Sequence, residues 1–60
     1  MKFHTSDLFQ PAVLWGEHRV TIIGLYYGRE EIDVQLERNG AVLRVPDDAV
    51  ETHKKGGVAA

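Results

Sequence analysis

The dipeptide Asn39-Gly40 constrains this chain more than any other feature, because it lies between two runs typical of strands, residues 32–38 and 41–45. Asn-Gly favours a two-residue type I′ hairpin turn, in which both central residues need φ > 0. Such a turn pairs four apolar residues across the hairpin, Val34 with Val45 and Leu36 with Leu43. Apolar and polar residues alternate along the first run, so these pairs share one face. The sequence therefore predicts an antiparallel hairpin with a dry face.

The polar, glycine-containing stretch 28–31 predicts a second hairpin loop directly before this one. A four-residue loop there pairs Tyr27 with Ile32 and Leu25 with Val34, and it places Tyr27 in the core. Tyr26 then points to the opposite, outer face of the sheet. Together the two loops predict three consecutive antiparallel strands.

Upstream, residues 11–15 predict a first strand that opens with a proline, where no ladder donor is needed. Gly16-Glu17 can form a two-residue turn that pairs Val13 with Val20. This register places Val13 and Trp15 on the face of Val20 and Ile22. The following strand, residues 18–27, is long, and its apolar face changes sides near Gly24. We therefore expect a bend or β-bulge at Gly24.

Both ends of the chain are expected to lie outside the sheet. Residues 1–10 predict an N-terminal lead-in whose apolar side chains cover one open end of the core, namely Phe3, Leu8 and Phe9. Pro46 ends a strand, Asp47-Asp48 favours a tight turn, and residues 50–52 form a short last strand. The predicted organisation is a lead-in over 1–10, a barrel over 11–53 and a flexible tail over 54–60.

Size and charge narrow the possible functions. Sixty residues without cysteine make one small, marginally stable domain, so we expect self-association or a protein partner. Nine acidic residues oppose seven basic ones, which disfavours phosphate-backbone binding as the main activity. No apolar run reaches the length of a membrane span, and residues 1–9 lack the apolar region of a secretory signal. We expect a cytoplasmic protein without membrane contact.

The strand order, the long bent second strand and the late turn resemble an SH3-like barrel of the KOW or Tudor type. The resemblance covers residues 11–51 and is carried by three short segments and the residues that follow them: 20–26, 32–34 and 40–45, then Pro46 and Val50-Glu51. It implies an all-β fold, a small SH3-like barrel of four to five antiparallel strands. Fold likeness of this kind implies no activity.

The chain also resembles the plasmid-borne trimethoprim-resistance dihydrofolate reductases, which are small SH3-like chains that assemble a pore from four subunits. The likeness lies in residues 22–26, Ile-Ile-Gly-Leu-Tyr, and 42–46, Val-Leu-Arg-Val-Pro. That family lines its pore with a Val-Gln-Ile-Tyr tetrad. Residues 42–45 lack the glutamine and the tyrosine, so the resemblance implies oligomers but does not carry the activity over.

No residue pattern predicts catalysis, a metal site or a cofactor. Asp47-Asp48 suits a turn better than a paired carboxylate site. His4, His18 and His53 are widely spaced and lack the HxH or HExxH spacing of metal ligands. Ser6 is the single serine, and no base is placed to activate it. We therefore predict a protein that is not an enzyme and that holds no metal and no cofactor.

The candidate binding residues are aromatic and polar side chains of the predicted outer face: Trp15, Tyr26, Asp33, Gln35 and Arg44. An exposed tyrosine and tryptophan beside polar groups can bind a peptide, a base or a cation. The lead hypothesis is a non-enzymatic binding or adaptor module for a protein partner, as in small accessory proteins of bacteria or mobile elements.

Two alternatives stay open. The first is a KOW-like nucleic-acid contact through basic residues, namely Arg19, Arg29, Arg38, Arg44, Lys54 and Lys55. The second is an enzyme of dihydrofolate reductase type that is built only on assembly.

Overall fold

The computed structural model describes residues 1–52, which form five β-strands and two short 3-10 helices. The strands are β1 (Pro11–Leu14), β2 (His18–Tyr26), β3 (Glu31–Leu36), β4 (Val42–Pro46) and β5 (Val50–Thr52). The 3-10 helices span Thr5–Asp7 and Asp47–Ala49. The predicted tail over 54–60 lies outside the described residues.

The five strands form one antiparallel sheet in the order β4-β3-β2-β1-β5. The predicted all-β class with four to five antiparallel strands is therefore confirmed. The sheet is not closed into a barrel: within residues 1–52, β4 and β5 are edge strands that pair on one side only.

The core lies on one face of this sheet. Its buried apolar members are Phe3, Ala12, Leu14, Val20, Ile22, Ile32, Val34, Val45 and Val50. Leu36 and Leu43 are partly buried and pack against this cluster. The predicted common face of the central hairpin is therefore confirmed, although its two leucines lie at the margin of the core.

The register of the central hairpin differs by two residues from the prediction, because Val34 pairs with Leu43 and not with Val45. The loop contains four residues, 37–40, and Leu36 N–H donates to the Ala41 carbonyl oxygen at 2.8 Å. Gly40 alone has a positive φ, +76°, so the turn is not type I′. The side chain of Asn39 instead accepts a hydrogen bond from Ala41 N–H at 3.0 Å. A shift of two residues preserves the alternation, so the face was predicted correctly and the register was wrong.

The β2–β3 hairpin contains the expected bulge. Its register shifts between Ile22 and Gly24, which confirms the bend that the sequence predicts. Beyond the bulge, Leu25 pairs with Ile32 and not with Val34. The loop comprises residues 27–30, so Tyr27 is an exposed loop residue and its predicted core position was wrong.

The β1–β2 turn has three residues, 15–17, where two were predicted. Trp15 and Gly16 both adopt positive φ, at 53° and 74°, and the longer turn shifts the register by one residue. A shift of one residue exchanges the two faces of a strand. Ala12 and Leu14 are consequently buried. Val13, predicted to share the face of Val20, pairs with Arg19 on the other face, and Trp15, predicted there too, is an exposed turn residue.

Two of the three apolar side chains that were predicted to cover the core from the first ten residues do so. Phe3 is buried and Leu8 packs against the core, but Phe9 is 73% exposed. Phe9 has φ 65°, and its N–H donates to the Ile22 carbonyl oxygen at 2.6 Å. This bond fixes the backbone of Phe9 while its ring points to solvent. Buried Asp7 accepts a hydrogen bond from His4 N–H at 2.9 Å and closes the first 3-10 helix.

The predicted turn after Pro46 is the second 3-10 helix, and the predicted last strand is β5, so both predictions are confirmed. Asp47 is buried, and its carboxylate accepts a hydrogen bond from Lys2 N–H at 3.3 Å. The turn brings β5 beside β1, where Val13 pairs with Glu51.

Candidate functional site

Three of the five candidate residues form one cluster on the outer face of the sheet. The Tyr26 hydroxyl donates to Asp33 Oδ2 at 2.9 Å, and Arg44 Nε donates to Asp33 Oδ1 at 3.1 Å. The Arg44 guanidinium also lies over the Tyr26 ring, with 4.2 Å between its central carbon and the ring centroid. The two oxygens of one carboxylate thus hold a phenol and a cation in stacking contact. We call these three residues the outer cluster.

Strand pairing explains how the sequence brings the outer cluster together. Asp33 lies directly opposite Arg44 on β4 and opposite Gly24 on β2. Tyr26 follows Gly24 by two residues, so both lie on the same face of β2. A Cβ placed on Gly24 would lie 3.6 Å from Asp33 Oδ2 and 3.7 Å from the edge of the Tyr26 ring. The absent side chain therefore leaves the ring and the carboxylate open above the β2 backbone.

The charges of the cluster stabilise one another. The hydrogen bond from Arg44 to the Asp33 carboxylate, together with the attraction between the two charges, raises the pKa of the Arg44 guanidinium above its ordinary value. The Arg44 side chain is 48% exposed, while the Asp33 side chain is 19% exposed. The cluster thus presents a fixed positive charge and an aromatic ring to solvent, with the balancing carboxylate beneath them.

Gln35 lies on the same face of β3, two residues beyond Asp33, but it does not join the cluster. Its amide nitrogen donates to the Gly40 carbonyl oxygen at 3.1 Å and so supports the β3–β4 loop. Opposite Gln35 on β4 lies Val42, whose side chain is 54% exposed. Sequence reasoning did not select Val42, although its alternation with Leu43 and its position two residues before Arg44 place it on the predicted outer face.

Trp15, the remaining candidate, lies far from the outer cluster. It belongs to the β1–β2 turn, whereas Tyr26 ends β2, roughly 25 Å away along the strand. Trp15 is 61% exposed, and its ring contacts that of His18 edge to face. The backbone N–H of Trp15 donates to the Ala49 carbonyl oxygen at 2.8 Å. The structure therefore separates the two aromatic side chains that the sequence hypothesis grouped together.

A shallow cavity of about 440 Å³ lies beside the β1–β2 turn and was not predicted. It is lined by Glu17, His18, Arg19, Glu37 and Arg38. The cavity forms because the β1–β2 and β3–β4 turns meet at one end of the sheet, where Glu37 N–H donates to the Arg19 carbonyl oxygen at 3.0 Å. Its lining alternates acidic and basic groups, which does not suit a polyanion. Its lining residues come from two separate turns, so no local motif signals it.

Within residues 1–52, no group of three or more His, Asp or Glu side chains is placed to hold a metal ion. His53, Lys54 and Lys55 lie outside the described residues. None of the helices in the described part of the chain has the length and apolar character needed to cross a bilayer. Comparisons with protein families, with curated proteins and with solved structures find no match for this chain.

Proposed function

We propose that this chain is a small non-enzymatic binding or adaptor module that recognises a protein partner through the outer face of its sheet. The observation that supports this most directly is the outer cluster of Tyr26, Asp33 and Arg44, which is preassembled on an exposed face. Arginine and tyrosine are enriched among residues that dominate binding energy at protein interfaces. In this proposal the module acts in the cytoplasm.

The geometry of the cluster also indicates the chemistry of the partner. Tyr26 and Asp33 limit the freedom of Arg44, so little side-chain entropy remains to be lost on binding. A guanidinium fixed in this way suits a carboxylate or a carbonyl oxygen of the partner. Exposed Val42, one of the next outward residues on β4, suits an apolar neighbour of that group. We expect a partner surface with an acidic residue next to an aliphatic one.

The other two function classes gain less support from the fold. Two of the four described arginines of the nucleic-acid hypothesis, Arg19 and Arg38, line one cavity together with two glutamates, Glu17 and Glu37. The other two lie elsewhere, Arg29 in the β2–β3 loop and Arg44 on β4. In the dihydrofolate reductase hypothesis, residues 42–45 correspond to the pore tetrad. Two of these residues, Leu43 and Val45, face the core side of this sheet, so only alternate members are open to solvent.

Photo-crosslinking identifies the partner and tests the face. Benzoylphenylalanine at position 35, in the middle of the outer face, should capture a discrete protein in the native host. The same group at Thr5, exposed on the first 3-10 helix, serves as the matched control and should not capture it. The captured protein is then purified, and its affinity for the chain is measured by calorimetry.

Variants decide whether the outer cluster carries the binding. We expect Arg44→Glu to weaken the affinity at least about tenfold, as for an arginine at the centre of an interface. The exchange Asp33→Arg with Arg44→Asp keeps an ion pair on the sheet but moves the cation, and it should also weaken binding. Arg29→Glu, in the exposed β2–β3 loop, should leave the affinity unchanged. Equal affinities for all variants, with circular dichroism showing intact folds, would exclude this face as the binding site.

A further inference from the structure

The backbone N–H and C=O groups of β4 form two sets, one that faces β3 and one that faces away from the sheet. Two hydrogen bonds show which residues belong to each set. At one end the Ala41 carbonyl oxygen accepts from β3, and at the other end Asp47 N–H donates to the Glu30 carbonyl oxygen at 3.0 Å. Residues that face the neighbouring strand alternate with residues that face away in an antiparallel pair. Leu43 and Val45, two and four residues after Ala41, therefore direct their N–H and C=O groups toward β3.

The outward set consists of the residues between them. Val42 and Arg44 direct both backbone polar groups away from the sheet, and Pro46 directs its carbonyl oxygen. No strand within residues 1–52 pairs with this side of β4. An open edge with exposed donors and acceptors is a template for another strand. Pro46 has no N–H, so it limits pairing to the part of the strand before it.

We propose that a second copy of the chain occupies this edge, with the two β4 strands antiparallel and Leu43 opposite Leu43 of the other copy. In this register Val42 pairs with Arg44 of the other copy, and the reverse pair follows by symmetry. Each pair exchanges two backbone hydrogen bonds, so four form and neither proline is needed. The proposal goes beyond the protein-binding function above, because it concerns the assembly that presents the outer face.

The side chains favour this register over the alternatives. Placing Arg44 opposite Arg44 would set like charges side by side and would leave Val42 facing a proline that cannot donate. The Leu43 register instead lays the stem of Arg44 along the exposed side chain of Val42. It also joins the partly buried Leu43 side chains of the two copies at the closest kind of cross-strand position.

The other edge suits a second copy less well. β5 has three residues, and the N–H of Val50 already donates to the Asp47 carbonyl oxygen. In a β4–β4 dimer the two sheets continue into one of ten strands. The two outer clusters then lie on the same side of that sheet, because a two-fold axis perpendicular to the sheet relates the copies. The dimer would therefore present both outer clusters on one side, with each Val42 packed beside the Arg44 stem of the other copy.

Cysteine scanning tests the register, since the chain has no cysteine of its own. In a dimer centred on Leu43, the two Cα atoms of Leu43→Cys lie about 4.5 Å apart, within disulfide range. Ala41→Cys, two residues away, is the matched control, because its two Cα atoms lie roughly 13 Å apart. Under oxidising conditions Leu43→Cys should form a covalent dimer, and Ala41→Cys should remain monomeric on non-reducing gels.

A proline variant tests the backbone pairing without a cysteine. Val42→Pro removes an N–H that β3 does not use, so the fold should persist while two hydrogen bonds of the dimer are lost. In sedimentation equilibrium we expect the dimer dissociation constant to rise about fivefold or more. Leu43→Pro removes an N–H that bonds to β3, so this control should unfold the chain.

Three results obtained with the chain alone would overturn the proposal. These are a species that stays monomeric at millimolar concentration, equal crosslinking of Leu43→Cys and Ala41→Cys, or a folded Val42→Pro variant with unchanged dimerisation. Capture of a strand of another protein at β4, with the chain itself monomeric, would also overturn it. The partner affinity is measured separately with the Arg44→Glu and Arg29→Glu variants, at concentrations where the chain is monomeric, because Arg44 also lies at the proposed dimer edge.

Discussion

Replacing Gly40 with alanine isolates the conformational demand of the β3–β4 loop. Gly40 has φ +76°, and a Cβ there would meet only Gln35 Nε2, at 3.8 Å. The substitution therefore introduces strain without a steric clash. A left-handed alanine costs about 1–2 kcal/mol relative to glycine. The loss of backbone freedom in the unfolded chain offsets about 0.4–1 kcal/mol of this. The expected net loss of stability is about 1 kcal/mol.

Two other glycines provide matched comparisons. Gly16 has φ +74° and open space around it, so Gly16→Ala should lose about as much stability as Gly40→Ala. Gly24 does not have a positive φ, and its nearest contact with a new Cβ would be Asp33 Cβ at 3.4 Å, an ordinary van der Waals distance. Gly24→Ala should therefore stabilise the fold by about 0.4–1 kcal/mol, although Gly24 lies at the bulge.

Thermal unfolding followed by circular dichroism measures all three variants. A change of 1 kcal/mol shifts the Tm of a domain this small by about 4–8 °C. Gly24→Ala should therefore melt above the parent chain, and the other two variants should melt below it by a similar amount. If Gly24→Ala instead lost as much stability as Gly40→Ala, the explanation by positive φ would be refuted. The absence of a side chain at the bulge would then matter more than backbone freedom.

Four further outcomes are expected. Leu14→Ala should lower the free energy of unfolding by about 2–5 kcal/mol, because Leu14 is fully buried. Leu36→Ala should lower it less, because Leu36 is only partly buried, and urea titration compares the two variants. Asp33→Asn should speed solvent exchange of the Arg44 Nε proton, which NMR detects, since that proton is bonded to the carboxylate. At dilutions where the chain is monomeric, amide exchange should be fast at Arg44 and slow at Leu43, and the reverse would invalidate the assigned edge of β4. Fluorescence anisotropy with single-stranded RNA or duplex DNA should stay flat at low salt, whereas salt-dependent binding would favour the nucleic-acid hypothesis.

The central part of the fold could be predicted because its pattern has period two. Ile32, Val34 and Leu36 alternate with polar residues, so any register shifted by two residues leaves the same side chains inside. This explains why the face was predicted correctly from the wrong pairing. The four-residue loop is closed by a backbone hydrogen bond from Leu36 N–H to Ala41 C=O. Every residue type can make such a bond, so the sequence does not distinguish a four-residue from a two-residue loop.

The first strand could not be predicted in the same way. Residues 12–15 read Ala-Val-Leu-Trp, so both faces of the strand are apolar. The pattern therefore does not distinguish between two registers that differ by one residue. The three-residue turn requires Trp15 itself to take a positive φ, which its residue type does not suggest. The predicted two-residue turn also leaves Trp15 on a strand, whereas the structure places it in a turn away from Tyr26.

The outer cluster was partly predictable. Tyr26, Asp33 and Arg44 were all expected on the outer face by alternation, and they do lie there. Their mutual contact depends on the bulge and on the loop lengths, which together place Asp33, and not Gln35, opposite Arg44. The sequence pattern alone predicts which residues lie on the outer face but not which of them lie opposite one another on adjacent strands.

The position of β5 beside β1 has a consequence for synthesis. β2, β3 and β4 can pair with their neighbours as they leave the ribosome, because each contact is local in the chain. The contact of Leu14 with Val50 spans most of the described chain, so one edge of β1 stays unpaired until β5 has been synthesised. A nascent chain that stalls before Val50 keeps this edge of β1 unpaired, and an unpaired strand edge makes such a chain prone to aggregation.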